Sequence, residues 1–302
     1  MKNIWDASAD SAQPIMSVPE PNCIFSVDVE DWFHILDLPG APGLTEWANL
    51  PSRVENNFRR LLDIFAANNV KMTCFFLGWV AERFPELVIL AHRQGHEIAS
   101  HGYGHKLIYE MAANEFYEDA VRSKTILEDL IGEAVPGFRA AGFSVIDKVP
   151  WFFEKLIEAG YRYDSSVFPA ARGHGGMKTG RLAPYRLLSG QKPIWEFPLT
   201  VVGPAGLRVC FFGGGYLRLF PYYIIKKMAD KVTREGRPVI YYIHPREIDP
   251  DHPRLPMSFY RKFKSYVNLK STETKIKRLM GDFKFVRFID YLDRLESLEK
   301  TA

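Results

Sequence analysis

The 302-residue sequence predicts an α/β protein built on a parallel sheet or barrel, and three observations carry that prediction. Short apolar runs alternate with segments of helical period along most of the chain. Polar clusters stand at the ends of five of the strand-like runs, where parallel barrels carry their working residues. The composition, 47% apolar and 25% charged, is that of an ordinary globular chain and excludes disorder, coiled coil and collagen.

Residues 1–20 hold Ser, Ala and Pro without period and are predicted to be a flexible leader. Cys23-Ile24-Phe25-Ser26-Val27 reads as a buried strand. Pro51-Ser52 then opens a helix, with Ser52 and Glu55 at capping-box spacing and Val54, Phe58, Leu61, Leu62 and Phe65 on one face. The apolar run 71–77 is followed by a helix at 85–94, a short strand at 97–100 and a helix from about 114 to 131. The alternation continues through strand 137–139, helix 151–159, strand 161–163, runs 194–199 and 207–212, helix 221–234 and strand 239–243. Gly213-Gly214-Gly215-Tyr216 is a loop entering a helix, a place where aromatic faces and close backbone approach suit a ligand. It is not a phosphate loop, because no Lys-Ser or Lys-Thr follows at the needed spacing.

A net charge of +3, from 39 Lys and Arg against 36 Asp and Glu, excludes nucleic acid as the main partner of the whole chain. The basic character is local: residues 254–287 contain ten Lys or Arg and only Glu273 and Asp282 as acids. That stretch is either a solvated helical face or a surface for an anionic substrate or an anionic lipid leaflet. Cys23, Cys74 and Cys210 lie far apart without a CxxC pair, so they are expected to be buried apolar side chains. The first twenty residues lack the apolar core of a secretory signal, and no run reaches the roughly 18 to 20 residues that span a bilayer. The expectation is a cytoplasmic protein, with any membrane contact peripheral and at the inner face.

Ser100-His101-Gly102-Tyr103-Gly104-His105 places two imidazoles four residues apart, a spacing that converges on one ion if the segment turns helically. His92 and His96 share the spacing but flank a helix end, which makes them a decoy. A third ligand is available in Asp28-Val29-Glu30-Asp31, where strand alternation puts Asp28 and Glu30 on one face. Three carboxylates so close to a core strand are costly unless partnered.

Together with Arg139-Ala140-Ala141-Gly142 and Ile243-His244, these segments resemble, in order, the motifs of the polysaccharide deacetylases of the NodB-homology type, carbohydrate esterase family 4. Residues 26–33, Tyr163-Asp164-Ser165-Ser166, residues 213–216 and residues 244–249 more narrowly resemble an exopolysaccharide-locus branch with an extra C-terminal region. The likeness covers roughly residues 20–295. It implies a distorted (β/α)7-type barrel over 21–250, with a basic C-terminal helical extension over 251–302 packed on it. It also implies a divalent metal, commonly zinc, held by His101, His105 and one carboxylate, Glu30 or Asp31, with Glu30 favoured.

On the same resemblance, Asp28 is the general base that takes a proton from the attacking water, and Arg139 is the cation that keeps it ionised. His244 is the acid that protonates the leaving amine, and Asp164 the carboxylate that orients it. The oxyanion donor is a backbone amide near Ala141 or Gly142, and Gly142 and Tyr216 are expected to touch substrate. The sequence departs from the family in lacking the adjacent Asp-Asp pair, the Pro and aromatic residue of the third motif, and the Trp- and Asp-containing fourth motif.

The implied function is N-deacetylation of an amino sugar in polysaccharide, capsule or O-antigen biosynthesis, on a nucleotide-linked, lipid-linked or oligomeric carrier. Three other readings compete. A two-histidine, one-carboxylate set also serves non-haem iron oxygenases, mainly on all-β barrels. A small cyclic amide or ureide amidohydrolase fits the same scaffold, and an inactive sugar-binding module is the third.

Overall fold

The computed structural model describes residues 23–36, 38, 40–170, 175–177, 179, 181–189, 192–204 and 207–301; the leader expected at 1–20 lies outside them. Strand β1 (Cys23–Val29) is buried along its whole length. Phe25, Val27 and Val29 face one apolar core and Ile24 faces a second, so β1 has an outer and an inner side. Such two-sided burial is what a parallel strand covered by helices requires.

On one side of β1 follow β2 (Thr73–Phe76), β3 (Glu97–Ser100), β4 (Gly137–Phe138) and β5 (Tyr163–Asp164), all parallel. The hairpin of β6 (Tyr185–Ser189) and β7 (Lys192–Glu196) extends the sheet, β7 parallel to β5 and β6 antiparallel at the edge. A separate two-stranded sheet pairs β8 (Val201–Val202) with β9 (Val209–Cys210). On the other side of β1 lies β10 (Val239–Ile243), and β11 (Phe285–Val286) pairs with the start of β1. The path is β10-β1-β2-β3-β4-β5-β7-β6, and among the described residues no pair joins its two ends into a closed ring.

The helices are α1 (Val54–Ala67), α2 (Gly78–Arg83), α3 (Pro85–Arg93), α4 (Ala113–Ile131), α5 (Phe152–Glu158), α6 (Gly214–Leu219), α7 (Tyr222–Arg234), α8 (Phe259–Tyr266), α9 (Thr272–Asp282) and α10 (Phe288–Thr301). Phe58, Val88, Phe116, Phe152 and Ile225, from α1, α3, α4, α5 and α7, build the outer core. The inner core is closed by the last helix: Phe288, Tyr291 and Leu292 pack against Phe75, Tyr163 and Phe197. The first amides of α10 donate to Thr73 Oγ1 (3.0 Å) and Glu97 Oε2 (3.1 Å), which fixes the helix start inside the sheet.

Three local expectations are corrected. The Ser52–Glu55 capping box does not form: Glu55 pairs with Arg59 one turn on, and the helix start is capped from outside by Asp31. The run at 207–212 forms β9 against β8 across a turn at Gly203 (φ 123), and it meets the main sheet only at its end, where Tyr242 N–H donates to the Phe212 carbonyl (3.1 Å) beside the Gly213–Tyr242 bridge. The end of the 71–77 run leads directly into α2, where a Cβ on Gly78 would lie 2.8 Å from Tyr103. The three cysteines are buried. Among the described residues no helix is long and apolar enough to cross a membrane.

Candidate active site

The C-terminal ends of β1, β3, β4 and β10 open into one cavity of about 520 Å³. The chain turns sharply after β1, Glu30 N–H donating to the Asp28 carbonyl at 3.0 Å. After β3 the histidine segment is a loop rather than the helical turn expected from its spacing. Asp119 of α4 accepts the amides of Tyr103 (2.7 Å) and Gly104 (3.0 Å), and the backbone is left-handed at Gly102 (φ 73) and His105 (φ 51). A Cβ at Gly102 would meet Asp119 Oδ2 at 2.8 Å, so this turn needs glycine.

The loop brings Glu30, His101 and His105 together, their ligand atoms all within 4.8 Å of one another and all three residues buried. Glu30 Oε2 lies 2.9 Å from His105 Nε2, yet it is buried and makes no hydrogen bond. His101 Nδ1 is bound to the Arg139 carbonyl at 2.8 Å, which turns its other ring nitrogen to the cluster. Burial lowers the pKa of His101 to about 4, so the ring is neutral and its lone pair available. Burial would raise Glu30, but His105 and His244 outweigh it and hold the carboxyl well below the usual range. An orphaned carboxylate oxygen converging with two imidazoles fits a divalent ion, zinc among the best matched.

On one side of this cluster Asp28 Oδ1 accepts from Arg139 Nη1 at 2.6 Å. Arg139 is wholly buried, stacked 4.0 Å from the Phe75 ring centre, and donates also to Ser26 Oγ, Ser165 O and Ser165 Oγ. Each guanidinium nitrogen is engaged, and Asp28 is fixed with its other oxygen 3.9 Å from His244 Nε2. His244 Nε2 lies 2.9 Å from Glu30 Oε1, and its Nδ1 is 3.1 Å from Glu247 Oε1. Burial alone would lower His244; Glu30 and Glu247 push it up instead, to about 10. The arrangement holds a carboxylate and a protonated imidazole on the two sides of a candidate metal, which is the pairing that general acid-base hydrolysis of an amide uses.

Two expected residues are elsewhere. Asp31 does not join the cluster: its carboxylate takes Trp32 N, Ser52 Oγ, Arg53 N and Val54 N, tying the β1 exit to the start of α1. Asp164 does not reach His244. It accepts from Ser166 Oγ (2.6 Å) and Ser166 N (3.1 Å) and faces Glu196, whose carboxyl is buried beside it. Burial and the neighbouring Asp164 raise Glu196 well above its ordinary value, so the pair shares a proton.

The partner of His244 is Glu247, which the sequence reading missed. The signal was there in His244-Pro245-Arg246-Glu247: Pro245 opens a 3-10 turn, Pro245–Ile248, that brings residue i+3 back to residue i. His34 was missed as well. It lines the cavity, takes the Asp31 N–H on Nδ1 at 3.0 Å, and has a buried Nε2 without a partner. Gly142 (φ 60), on the turn Ala141–Phe143 after β4, and Tyr216 of α6 line the cavity as expected for substrate contacts. Of the decoy pair, His96 is buried and accepts Met72 N–H, and His92 faces Glu133 at 3.7 Å.

Comparison with known proteins shows what this chain is similar to. Residues 48–163 match the model described as Polysaccharide deacetylase, and residues 165–293 match a Domain of unknown function (DUF3473). The peptidoglycan deacetylase of Helicobacter pylori is 30% identical over 114 residues, 36% of this chain and 36% of its own. The peptidoglycan-N-acetylglucosamine deacetylase of Bacillus cereus is 35% identical over 75 residues, 25% of this chain and 27% of its own. The chain thus spans about a third of the length of the curated relatives it matches. A structure from Mycobacterium smegmatis described as a polysaccharide deacetylase superposes over 94% of both chains with a TM-score of 0.63 at 18% identity. Puue allantoinase does so over 95% of this chain and 98% of its own, with a TM-score of 0.58 at 18% identity. These two likenesses carry the fold. Over residues 48–163, somewhat more than a third of the chain, the protein is thus similar to polysaccharide deacetylases in sequence, and over most of its length it is similar to them in fold.

Proposed function

We propose that this protein hydrolyses the N-acetyl group of an amino sugar with the help of a divalent metal, most suitably zinc. The carrying observation is that Glu30, His101 and His105 converge in the same cavity as the Asp28–Arg139 and His244–Glu247 pairs. Such an ion supplies a Lewis acid that acidifies water and polarises the acetyl carbonyl. Asp28, held in place by Arg139, takes a proton from the attacking water. His244, charged and oriented by Glu247, delivers a proton to the sugar nitrogen as the C–N bond breaks, giving acetate and the free amine. Gly142 and Tyr216 bound the substrate side of the cavity.

The same reading assigns the reaction to polysaccharide, capsule or O-antigen assembly of the exopolysaccharide-locus type, in the cytoplasm. The test is acetate release by metal-loaded protein from N-acetylhexosamine oligomers, nucleotide sugars and lipid-linked sugars, with a chelated control. Chelator-sensitive acetate from any of them is expected. Hydrolysis of a cyclic ureide without acetate from any sugar, or sugar binding without either reaction, would overturn the proposal.

A further inference from the structure

Beyond its acid-base floor the cavity has a wall that amide hydrolysis does not use. It is built by α6, α8 and the turn Pro245–Ile248, and it presents Tyr260 and Phe263 together with Arg246, Arg261 and Lys264. Helix α8 has no buried residue, yet it carries Phe259 (87% exposed), Tyr260 (71%) and Phe263 (47%). Its position is fixed from outside: the buried Arg218 donates to the carbonyls of Lys264, Ser265 and Val267, and Arg261 Nη2 donates to the Leu36 carbonyl. An exposed aromatic helix anchored in this way is a surface held for contact rather than for packing.

The charges on this wall do not balance. Glu247 is the carboxylate that serves His244, Arg218 and Arg246 together. Arg246 Nη1 and Arg261 Nε are buried and meet no hydrogen-bond acceptor. Buried charged donors without acceptors are rare in folded proteins, and guanidinium groups match oxyanions in shape and charge. Lys264 Nζ lies 5.5 Å from the centre of the Tyr260 ring, so aromatic face and positive charge occur side by side. A sugar ring lays its apolar face on an aromatic side chain while a substituent reaches a neighbouring cation.

We propose that the cavity recognises an N-acetylated sugar joined to an oxyanion, with Arg246 and Arg261 taking the anion and Tyr260 and Phe263 covering the adjoining ring. This rests on the deacetylase reading and narrows its substrate to anionic saccharides. The oxyanion is either a phosphate ester on the sugar or the carboxylate of a neighbouring uronic acid.

The test compares N-acetylglucosamine 1-phosphate and a disaccharide of N-acetylglucosamine with glucuronate against neutral N-acetylglucosamine and chitobiose, using the full metal-loaded chain. At least one anionic compound is expected to exceed its neutral counterpart about 10-fold in kcat/KM, through KM. Raising salt from about 20 to 300 mM should erase most of that advantage in the unsubstituted protein. Arg246→Gln and Arg261→Gln should each lower the anionic-to-neutral ratio several-fold, whereas Lys262→Gln, on α8 but outside the cavity lining, should not.

Calorimetry on the Asp28→Asn variant supplies a readout free of turnover. The anionic sugar should bind about 10-fold more tightly than the neutral one, and Arg261→Gln added to that background should remove the difference. An advantage confined to the phosphate names a phosphate-linked sugar, and one confined to the uronate names an acidic polysaccharide. Acetate release at equal kcat/KM for charged and neutral sugars, without salt dependence, overturns this inference and leaves the deacetylase reading intact. If no sugar releases acetate, that reading falls, and the calorimetric comparison alone decides the anion subsite.

Discussion

Asp28 and Asp164 stand at the ends of two parallel strands of one sheet, both almost without solvent exposure, and the sequence reading gave both a part in catalysis. Their surroundings are opposite. Asp28 faces a guanidinium that is held in turn by Ser26 and Ser165. Asp164 faces another carboxyl, Glu196, and settles its charge by sharing a proton. Strand-end placement therefore creates the opportunity for a working carboxylate, and the neighbour, a guanidinium for Asp28 and a second carboxyl for Asp164, decides what it can do.

The largest effect expected from this contrast is on turnover. Asp28→Asn should lower acetate release by about 10³-fold or more while metal content, read by atomic absorption, is retained; Asp164→Asn should cost only a few-fold. Next comes stability. Arg139→Met removes the short buried ion pair and leaves the Asp28 carboxyl with only the 3.9 Å approach of His244, and denaturant unfolding should lose about 3 kcal/mol or more. Asp28→Asn combined with Arg139→Met should recover part of that loss, since no charge is then stranded. A recovery of nothing would mean that Arg139 acts through packing on Phe75 rather than through the pair.

A third experiment separates the two candidates for orienting His244. Glu247→Gln should reduce kcat by about 10²-fold with KM little changed, an effect that Asp164→Asn should not reproduce. The smallest effect is a pH dependence of stability from the Asp164–Glu196 pair. The folded pKa of Glu196 lies above its ordinary 4.5, so the folded state binds the extra proton. The stabilisation tied to this proton is full below pH 4.5 and is lost as pH rises through the raised value. Glu196→Gln, whose amide donates to Asp164 permanently, should flatten that fall and gain about 1 kcal/mol at pH 8. An unchanged profile in urea unfolding would show that the pair carries no shared proton.

Much of this was legible in the chain. The alternation of apolar runs and amphipathic segments located β1, β2, β3, β10 and helices α1, α3, α4, α5 and α7 to within a few residues, because each buries a face whose period is written locally. The His-x3-His segment, the acidic cluster and Arg139 were visible because unusual residue types fell at strand ends. Strand β6, beside the 194–199 run that overlaps β7, and α10 as the filler of the inner core were not visible. The partners of α10 lie up to some two hundred residues away, as in the contact of Phe288 with Phe75.

The sequence by itself determined which residue types are available at the strand ends, since side-chain identity and strand period are local properties. Only the tertiary structure decided what each carboxylate does. Glu30 turns into the cavity with two histidines, Asp31 turns back to cap α1, Asp164 meets Glu196, and Glu247 meets His244 through a proline-opened turn. The physical reason is that a carboxylate's charge, pKa and ligand capacity are set by atoms within a few ångströms. Apart from the turn that carries Glu247, those atoms come from strands and helices that only folding brings together.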